Sequence, residues 1–520
     1  MPLKLTLGHQ DFRRIRDDGL AYVDKTREVC RMAESGTYFF LSRPRRFGKS
    51  LTVSTLAELH SGDRELFRGL WAYDHWDFER HHQSVVWLQF ASSHFMAEGL
   101  VAGLHNMIDA NANRLGVDIQ TRNEATPPRR FGELLRAAAA VSPSGKTVLL
   151  VDEYDKPIVH FLGERYGANR DEEMAQARAN RDELKGFYSV LKDADPHLAL
   201  VFITGVSAFS KVSIFSELNN LTNLSLHTRA ATLVGITQAE LDATYGAPLA
   251  ATGVDPEEVR RWYNGYRFAA DAERVYNPWS LQSFLQEGRI SGFWYATGTP
   301  TWLIRRLTGE GTLELSGTRV SEQALLGFDL ERVSPTSLLF QTGYLTVVGL
   351  RNRVYTLDYP NLEVREAFEL GILDVLTDAH AGTSQVRADD LLQAIEAGDL
   401  PRVFAIVDAT LAEVPHPLWE RQGESAFHLI VHVLFRAVGI YLRSEVPSAG
   451  GRADVIVETP ERVYAFEFKV GGTAEAALAQ IEARNYLAPY ADDVRERMAV
   501  GVVFDPERRR VGETGARVVG

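Results

Sequence analysis

Cysteine is almost absent from this sequence, since its 520 residues include a single one, Cys30. One thiol cannot form an intramolecular disulfide, and its isolation also excludes a zinc site built from several cysteines. Cys30 follows Val29 in a helical pattern, so we interpret it as a packed side chain. The fold must therefore rest on hydrophobic cores, for which a hydrophobic fraction of 45% is ample.

Long apolar runs are also missing. None approaches the roughly 18 residues that a membrane-spanning helix needs, and residues 1–10 are too polar and too short for a secretory signal. We therefore expect a cytoplasmic protein without a membrane partner. The formal net charge of −13 speaks against a positive coat for non-specific DNA binding but permits a local basic groove. Arginines cluster at 43–46 and at 508–510, and we interpret the second cluster as a solvated tail.

The length predicts about three domains, and the first ends near residue 235. In residues 1–235, short apolar segments alternate with helical ones, which predicts an α/β fold with a parallel sheet and helices on both faces. The predicted strands are 38–42, 85–90, 147–151 and 198–204, and the predicted helices include 51–60, 131–140 and 180–194.

After residue 235 the alternation of strand and helix patterns gives way to mainly helical patterns. Residues 236–370 predict a helical lid to about residue 310, followed by a helix and a β-hairpin that resemble a small winged helix. Residues 371–520 predict a helical linker and a second α/β domain with a core of about 423–505. The segments that carry these predictions are helices 238–245, 255–263, 390–411, 424–441 and 474–486, a helix start at 277–280, the helix and hairpin of 337–349 and 354–358, and strands 454–458, 463–469 and 498–504.

Residues 43–50, with the sequence RPRRFGKS, match the phosphate-loop pattern G-x-x-x-x-G-K-[ST] at every position except the first. In such a loop, backbone N–H groups and a helix N-terminus cradle phosphates, and here Arg46, Phe47 and Gly48 would supply them. Lys49 would neutralise the β- and γ-phosphates of ATP, and Ser50 would hold Mg²⁺. Because Arg43 replaces the first glycine, the tight turn must be made differently, with help from Pro44.

Two acids, Asp152 and Glu153, directly follow the predicted strand 147–151. Asp152 would bind the Mg²⁺ shell, and Glu153 would act as general base on the attacking water. Without Lys49 and Ser50, the two acids would be interpreted as a capped loop. Thr204 ends another predicted strand, and it is either a sensor of the γ-phosphate or an ordinary strand-end hydroxyl.

A second group of chemical residues is centred on Glu467 and Lys469. Residues i and i+2 of a strand face the same side, and a hairpin can bring Asp454 beside them. Carboxylates of this kind bind Mg²⁺ or Mn²⁺, which activates water at a phosphodiester, while the lysine orients or deprotonates the nucleophile. Glu424 is the candidate third acid, and Gln480 is the candidate contact to metal-bound water or the DNA backbone. The pattern is short, however, and charged residues at strand ends are common.

Over nearly its whole length the chain resembles a bacterial family that fuses an AAA-ATPase-like domain to a PD-(D/E)XK nuclease domain. The resemblance implies an additional-strand P-loop ATPase and a restriction-endonuclease-like core, and it implies that a glycine-poor, arginine-rich phosphate loop is typical of the family. The segments that carry it are 22–26, 40–50, 151–157, 204–207, 218–222, 263–268, 277–280, 452–454, 467–469 and 479–481.

Two hypotheses follow from these residues and from the resemblance. The first is an enzyme that hydrolyses ATP and cuts nucleic acid, with DNA the expected class, in a metal-dependent reaction under ATP control. The second is an ATP-gated switch or adaptor, whose nuclease-like domain binds nucleic acid or another partner without cutting. The sequence leaves open whether the chain forms a homo-oligomer.

Overall fold

The structure is a computed structural model, and its chain folds into two compact units. The first unit comprises Met1–Ala296 and Glu314–Glu363, and the second comprises Thr297–Leu313 and Val364–Gly520. The predicted division into 1–235, 236–370 and 371–520 stays a prediction. The residues that the structure describes are 3–90, 95–121, 125–163, 170–207, 214–215, 218, 220–294, 304, 307, 315–327, 334–380, 382–422, 425–438, 443–444 and 455–519.

A five-stranded parallel sheet forms the core of the first unit. Its strands are β1 (Tyr38–Ser42), β2 (Ser84–Gln89), β3 (Thr147–Asp152), β4 (Leu198–Gly205) and β5 (Thr222–Asn223), in the order β2-β3-β4-β1-β5. Strands β1 and β3 are buried along their whole length, as expected for parallel strands covered on both faces. The predicted α/β fold with a parallel sheet is confirmed. Because β4 lies between β1 and β3, the carboxyl ends of these three strands meet at one edge.

Two groups of helices pack on this sheet. Helix α3 contacts β3 and lies beside α1 and α2, whereas α7 contacts β2 and lies beside α6 and α9. Helices α7 and α9 begin earlier than predicted, because Pro127 suits the first turn of α7 and three acids fill the first turn of α9. The helices are α1 (Phe12–Asp17), α2 (Thr26–Glu34), α3 (Lys49–His60), α4 (Trp71–His75), α5 (Phe95–Glu98), α6 (Leu100–Leu115), α7 (Pro127–Val141), α8 (Lys156–Gly163) and α9 (Arg170–Asp193).

The rest of the first unit is helical and then mixed. The predicted helix start at 277–280 is found, with the Asn277 side chain accepting hydrogen bonds from the backbone N–H groups of Trp279 and Ser280. The predicted hairpin is also found, and its turn residues Asn352 and Arg353 both have positive φ. A third strand, which the sequence did not predict, gives the order β6-β8-β7. The elements are α10 (Gln238–Ala251), α11 (Pro256–Tyr263), α12 (Pro278–Glu287), β6 (Thr318–Ser321), α13 (Glu322–Leu326), α14 (Pro335–Thr342), β7 (Thr346–Arg351) and β8 (Val354–Asp358).

The second unit contains helices and a mixed sheet of order β13-β12-β11-β10-β9, in which only β11 and β12 are parallel. The single helix predicted over 390–411 is wrong, because Gly398 ends one helix in a left-handed conformation and Asp399 caps the next. From α15 onward the elements are α15 (Leu362–Thr377), α16 (Thr383–Ala397), α17 (Leu400–Ala412), α18 (His416–Gln422), α19 (Ser425–Val438), β9 (Arg443–Ser444), β10 (Val455–Glu458), β11 (Arg462–Val470), α20 (Ala474–Ala483), β12 (Glu496–Asp505) and β13 (Arg510–Val518).

The interpretation of residues 508–510 as a solvated tail is wrong. The three arginines lie at the turn that joins β12 to β13, and they line a cleft together with Trp419. The turn forms because β12 and β13 pair in an antiparallel hairpin that continues to Val518.

In the part of the chain that the structure describes, no helix is both long enough and apolar enough to cross a membrane.

Candidate functional site

The loop between β1 and α3 makes its turn at Arg46 and Gly48, whose φ angles are 67° and 90°. Gly48 is the N-cap of α3 and adopts a left-handed conformation that glycine tolerates without steric cost. A left-handed arginine is uncommon, and such residues cluster at functional sites. The glycine-poor loop therefore turns near its end rather than at Arg43 or Pro44.

The Arg43 side chain is buried and fastens the start of this loop. Its guanidinium donates hydrogen bonds to the backbone carbonyls of Ser42 (2.9 Å), Ser225 (2.6 Å) and Ala230 (3.1 Å). It also lies 4.0 Å above the ring of Phe268. Burial lowers the pKa of Arg43 to about 9. At the position of the missing glycine, the chain thus holds a side chain that ties the loop to segments from elsewhere in the unit.

Two further loop side chains contact the same aromatic region. Phe47 packs edge-on against Tyr266 and Phe268, with ring centroids 4.7 and 5.3 Å away. The Arg46 guanidinium lies 3.9 Å above the ring of Trp279. The side chains of Arg46 and Phe47 therefore hold the shape of the loop, and their predicted backbone contacts to a nucleotide stay a prediction.

Lys49 is buried inside the loop. Its ammonium donates hydrogen bonds to the carbonyls of Arg43 (3.0 Å) and Pro44 (2.8 Å). Burial lowers the pKa of Lys49 to about 8, while the charges of Asp152 and Asp155 act in the opposite direction. A buried ammonium whose two hydrogen-bond acceptors are neutral carbonyls gains a charged partner when an anion enters the loop.

Asp152 ends β3 and lies within reach of Ser50. Burial raises the pKa of Asp152, while a hydrogen bond from the Ser50 side chain and the charge of Lys49 lower it. Its Oδ1 atom is buried and has no hydrogen-bond partner among the described residues. A buried carboxylate oxygen without a partner is costly, and a bound cation would satisfy it. The Ser50–Asp152 pair therefore fits the predicted Mg²⁺, for which oxygen ligands are preferred.

The other two predicted residues of this site differ in exposure. Glu153 has a left-handed φ of 54°, and its carboxylate lies 3.4 Å from the Lys156 ammonium with 38% of the side chain exposed. Thr204 is fully buried, and its hydroxyl donates a hydrogen bond to the Leu41 carbonyl at 2.9 Å. This contact favours the structural interpretation of Thr204, and the sensor role stays a prediction.

Sequence reasoning missed Asp155. Its buried carboxylate accepts hydrogen bonds from the backbone N–H groups of Val206 (3.1 Å) and Ser207 (2.6 Å). The Tyr154 hydroxyl donates to the Ser207 carbonyl at 2.9 Å. The segment after β3 thus positions the segment after β4, at the edge where Asp152 lies. The signal was the resemblance at 151–157 and 204–207, two segments that prove to contact each other.

A cavity of about 70 Å³ adjoins the phosphate loop. Phe47, Gly48 and Leu51 form one side of it, and most of the other lining residues are apolar. Lys25 also lines the cavity, and its ammonium pairs with Glu240 at 2.7 Å. The remaining lining residues include Tyr22, Val23, Val29, Leu233, Val234 and Ile236. The cavity shares the apolar lining of small-molecule sites.

In the second unit, Glu467 and Lys469 lie on β11, and Gln480 of α20 joins them. The Lys469 ammonium donates a hydrogen bond to Gln480 Oε1 at 2.8 Å, and Gln480 Nε2 donates to Glu467 Oε1. Glu467 is almost fully buried, with 4% exposed, whereas Lys469 and Gln480 are half-buried. The structure therefore brings three of the predicted residues into one hydrogen-bonded cluster.

The remaining predicted residues of this site, Glu424 and Asp454, lie outside the described residues. Strand β10 begins at Val455, which pairs with Phe466 of β11. Within the described ranges there is no group of three or more histidine, cysteine, aspartate or glutamate residues that could hold a metal. The proposed ligand set needs acids from outside these ranges.

Comparison with known proteins finds a family match in two parts of the chain. Residues 6–215 match the family described as "Predicted AAA-ATPase", and residues 422–514 match the "PD-(D/E)XK nuclease superfamily". A protein of Azotobacter chroococcum mcd 1, named "Uncharacterized protein in vnfD 5'region", is 37% identical over 524 residues, covering 98% of each chain. No solved structure matches the chain. The chain belongs to the family that fuses a predicted AAA-ATPase domain to a PD-(D/E)XK nuclease superfamily domain.

Proposed function

We propose that the protein hydrolyses ATP in its first unit and cuts DNA phosphodiesters in its second unit, with cleavage under ATP control. The ATPase half is supported by Asp152, which is buried close to Ser50 and Lys49. Its Oδ1 atom has no hydrogen-bond partner among the described residues. The nuclease half is supported by the hydrogen-bonded cluster of Glu467, Gln480 and Lys469. The family supports both halves at the level of the domains.

At the ATP site, different residues would bind the phosphates, the base and the metal ion. The N-terminus of α3, opened by Gly48, favours the negative charge of phosphates. Lys49 would exchange its bonds to two loop carbonyls for bonds to phosphate oxygens. The apolar residues that line the cavity beside Phe47 and Gly48 would contact the adenine base. Mg²⁺, held by Ser50 and Asp152, would supply charge stabilisation at the transferred phosphoryl group.

Glu153 is the general base of this proposal. Its carboxylate is more exposed than that of Asp152, so it can reach a water molecule at the end of the nucleotide. Asp155 is a positioning residue, because it holds the segment after β4 through two backbone N–H groups.

At the second site, Glu467, Asp454 and Glu424 would provide carboxylates for Mg²⁺ or Mn²⁺. The metal would supply an activated water and stabilise charge on the phosphate. Lys469 would orient the attacking water, and Gln480 would hold the Lys469 ammonium and the Glu467 carboxylate in fixed relation. Such supporting hydrogen bonds tune first ligands in metal sites.

The test compares the full-length chain with its Lys49→Ala and Lys469→Ala variants. We expect Lys469→Ala to lose cleavage by on the order of 10²–10³-fold with ATP hydrolysis intact, since a charge at the reacting centre is removed. Lys49→Ala should lose ATP hydrolysis and the effect of ATP on cleavage. Phosphate release and digestion of double- and single-stranded DNA and RNA, with Mg²⁺ or Mn²⁺, measure both activities.

The exposed Lys185 provides a control, since Lys185→Ala removes one positive charge from the surface of α9. If the wild type leaves every nucleic acid whole, the nuclease half is wrong, and binding without cleavage would favour the ATP-gated adaptor. If the wild type releases no phosphate from ATP, the ATPase half is wrong.

A further inference from the structure

The turn between β12 and β13 carries three consecutive arginines in a protein whose net charge is −13. Arg508 and Arg510 are exposed, and Arg509 is half-buried. Arg509 has a left-handed φ of 53°, and its guanidinium lies 5.5 Å from the ring of Trp419. The arginines line a cleft of about 420 Å³ beside α17 and α18. The turn therefore presents a fixed basic surface rather than a mobile tail.

Two acids near these arginines are already engaged, whereas Glu507 in the same turn is exposed. Asp408 lines the cleft, but its Oδ1 accepts a hydrogen bond from the backbone N–H of Val511 at 2.5 Å. Asp505 caps the turn through Oδ1, and its Oδ2 lies 3.8 Å from Arg508 Nε. Within the described ranges, no ion pair to a carboxylate is found for Arg509 or Arg510. Residues 505–510 carry three arginines and two acids, so the turn retains net positive charge for an external anion.

The turn lies at the same edge of the sheet as the cluster of Glu467, Lys469 and Gln480. Strand β12 runs parallel to β11, with Lys469 paired to Val503 and Val470 paired to Phe504. Strand β12 ends at the next residue, Asp505, and the turn follows it, so the turn lies within roughly 15 Å of Lys469 at about 3.3 Å per strand residue. Along one strand of DNA this distance spans a few phosphates.

A row of aromatic rings fixes the turn relative to β11. Ring centroids are 4.6 Å apart for Trp419 and Phe427, 5.0 Å for Phe427 and Phe504, and 5.9 Å for Phe504 and Phe468. Phe468 lies between Glu467 and Lys469 in the chain. Because close-packed side chains are hardly compressible, this row of rings keeps the turn and β11 at a fixed separation. The basic surface is therefore held at a set distance from the proposed reacting centre.

We infer that residues 508–510 bind the phosphodiester backbone of the nucleic-acid substrate a few nucleotides from the cleaved bond. This inference rests on the proposed nuclease function. Arginine suits the role because its guanidinium binds phosphate oxygens in pairs. The contact would recognise the charge and spacing of the phosphates and not the base sequence, because phosphate contacts position a protein without specifying bases.

The experiment measures binding of a labelled 30-base-pair DNA duplex to the full-length chain over a range of salt concentrations, in the Lys469→Ala background to prevent cleavage. Arg508→Gln combined with Arg510→Gln is compared with Arg497→Gln combined with Arg517→Gln. Arg497 and Arg517 lie near the opposite edge of the same sheet, so both doubles remove two positive charges from one unit.

We expect the 508/510 double to weaken binding about 10-fold and to reduce the salt slope by about 1 to 2, since each lost phosphate contact removes about 0.9 from the slope. The 497/517 double should keep the wild-type slope. Arg508→Lys with Arg510→Lys should also keep it, which separates charge from folding. Thermal unfolding of each variant checks that the unit is intact.

An unchanged slope in the 508/510 double, or an equal loss in both doubles, overturns the inference. If this occurs while wild-type DNA cleavage depends on Lys469, the proposed nuclease function survives and the backbone site is wrong. If the Lys469→Ala chain binds no nucleic acid and the wild type cuts none, both the inference and the nuclease proposal are wrong.

Discussion

The two candidate sites are built in opposite ways. The ATP site joins residues that are distant in the chain, with Lys49 and Ser50 at the start of α3 and Asp152 at the end of β3. The cluster in the second unit forms between one strand and the next helix, where Gln480 bridges Glu467 and Lys469. A site assembled over long distances depends on tertiary packing, whereas one assembled locally depends on strand and helix geometry.

The side-chain contacts that hold the two sites also differ. The phosphate loop is fastened by Arg43 and Phe47 against Phe268, and by Arg46 against Trp279. In the second site, Gln480 hydrogen-bonds both Glu467 and Lys469. Changes to buried loop side chains should therefore disturb the stability of the first unit, while changes at Gln480 should disturb activity with little effect on stability.

The largest effect on this comparison is expected from Arg43→Met. The change removes three hydrogen bonds to backbone carbonyls while keeping most of the side-chain volume. We expect a loss of about 3 kcal/mol in the free energy of unfolding of the first unit, at roughly 1 kcal/mol for each lost bond, together with weaker ATP binding. Urea denaturation and nucleotide titration measure these effects.

Arg45→Met is the matched control for this change, because Arg45 lies in the same loop and is exposed. It should alter the unfolding free energy by less than about 0.5 kcal/mol. Equal effects of the two substitutions would show that burial of Arg43 does not support the loop.

A smaller effect is expected from Gln480→Leu. The substitution keeps a side chain on α20 but frees the Lys469 ammonium and the Glu467 carboxylate from their common partner. We expect DNA cleavage to fall about 10- to 100-fold, the range for loss of a supporting hydrogen bond at a metal site. ATP hydrolysis should not change.

Glu482→Gln on the same helix serves as the control, since Glu482 pairs with Arg517 away from the cluster. It should leave cleavage within about two-fold of the wild type, because exposed ion pairs contribute little. A loss of ATP hydrolysis in Gln480→Leu would contradict the separation of the two sites.

The smallest effect concerns acid stability. Burial lowers the pKa of His60, at the end of α3, from 6.5 to about 4. As the pH falls, the unfolded chain takes up this proton first, so stability present above pH 6.5 is lost as the pH falls towards 4. Between pH 6.5 and 5.5 the first unit should lose about 1 kcal/mol from this group.

Urea denaturation at the two pH values, in the wild type and in His60→Gln, measures this contribution. The variant has no group that titrates at position 60, so its loss on acidification should be smaller by about 1 kcal/mol. An identical pH dependence in both proteins would show that protonation of His60 does not lower the free energy of unfolding of the first unit.

The sequence predicted more of the fold than of the site. Strands 38–42 and 198–204 were placed almost to the residue, because continuous apolar runs between turns mark buried parallel strands. The strands β6 and β13 were not predicted, since their residues lack a continuous apolar run. The arginines at 508–510 were misassigned for a related reason, because a run of charge does not reveal a hairpin.

By itself, the sequence determined the chemistry that is available. It supplied Lys49 and Ser50 after a strand, two acids after another strand, and Glu467 two residues before Lys469. These are local facts of residue type and period, which backbone geometry converts into shared faces and strand ends.

Only the tertiary structure decided what each side chain does. It buried Arg43 against the ring of Phe268, and it engaged the Thr204 hydroxyl in a hydrogen bond to the Leu41 carbonyl. It brought Ser50 to Asp152, and it set the arginine turn beside Trp419. These outcomes depend on contacts between distant segments, and no periodicity within one segment encodes the partner that another segment will provide.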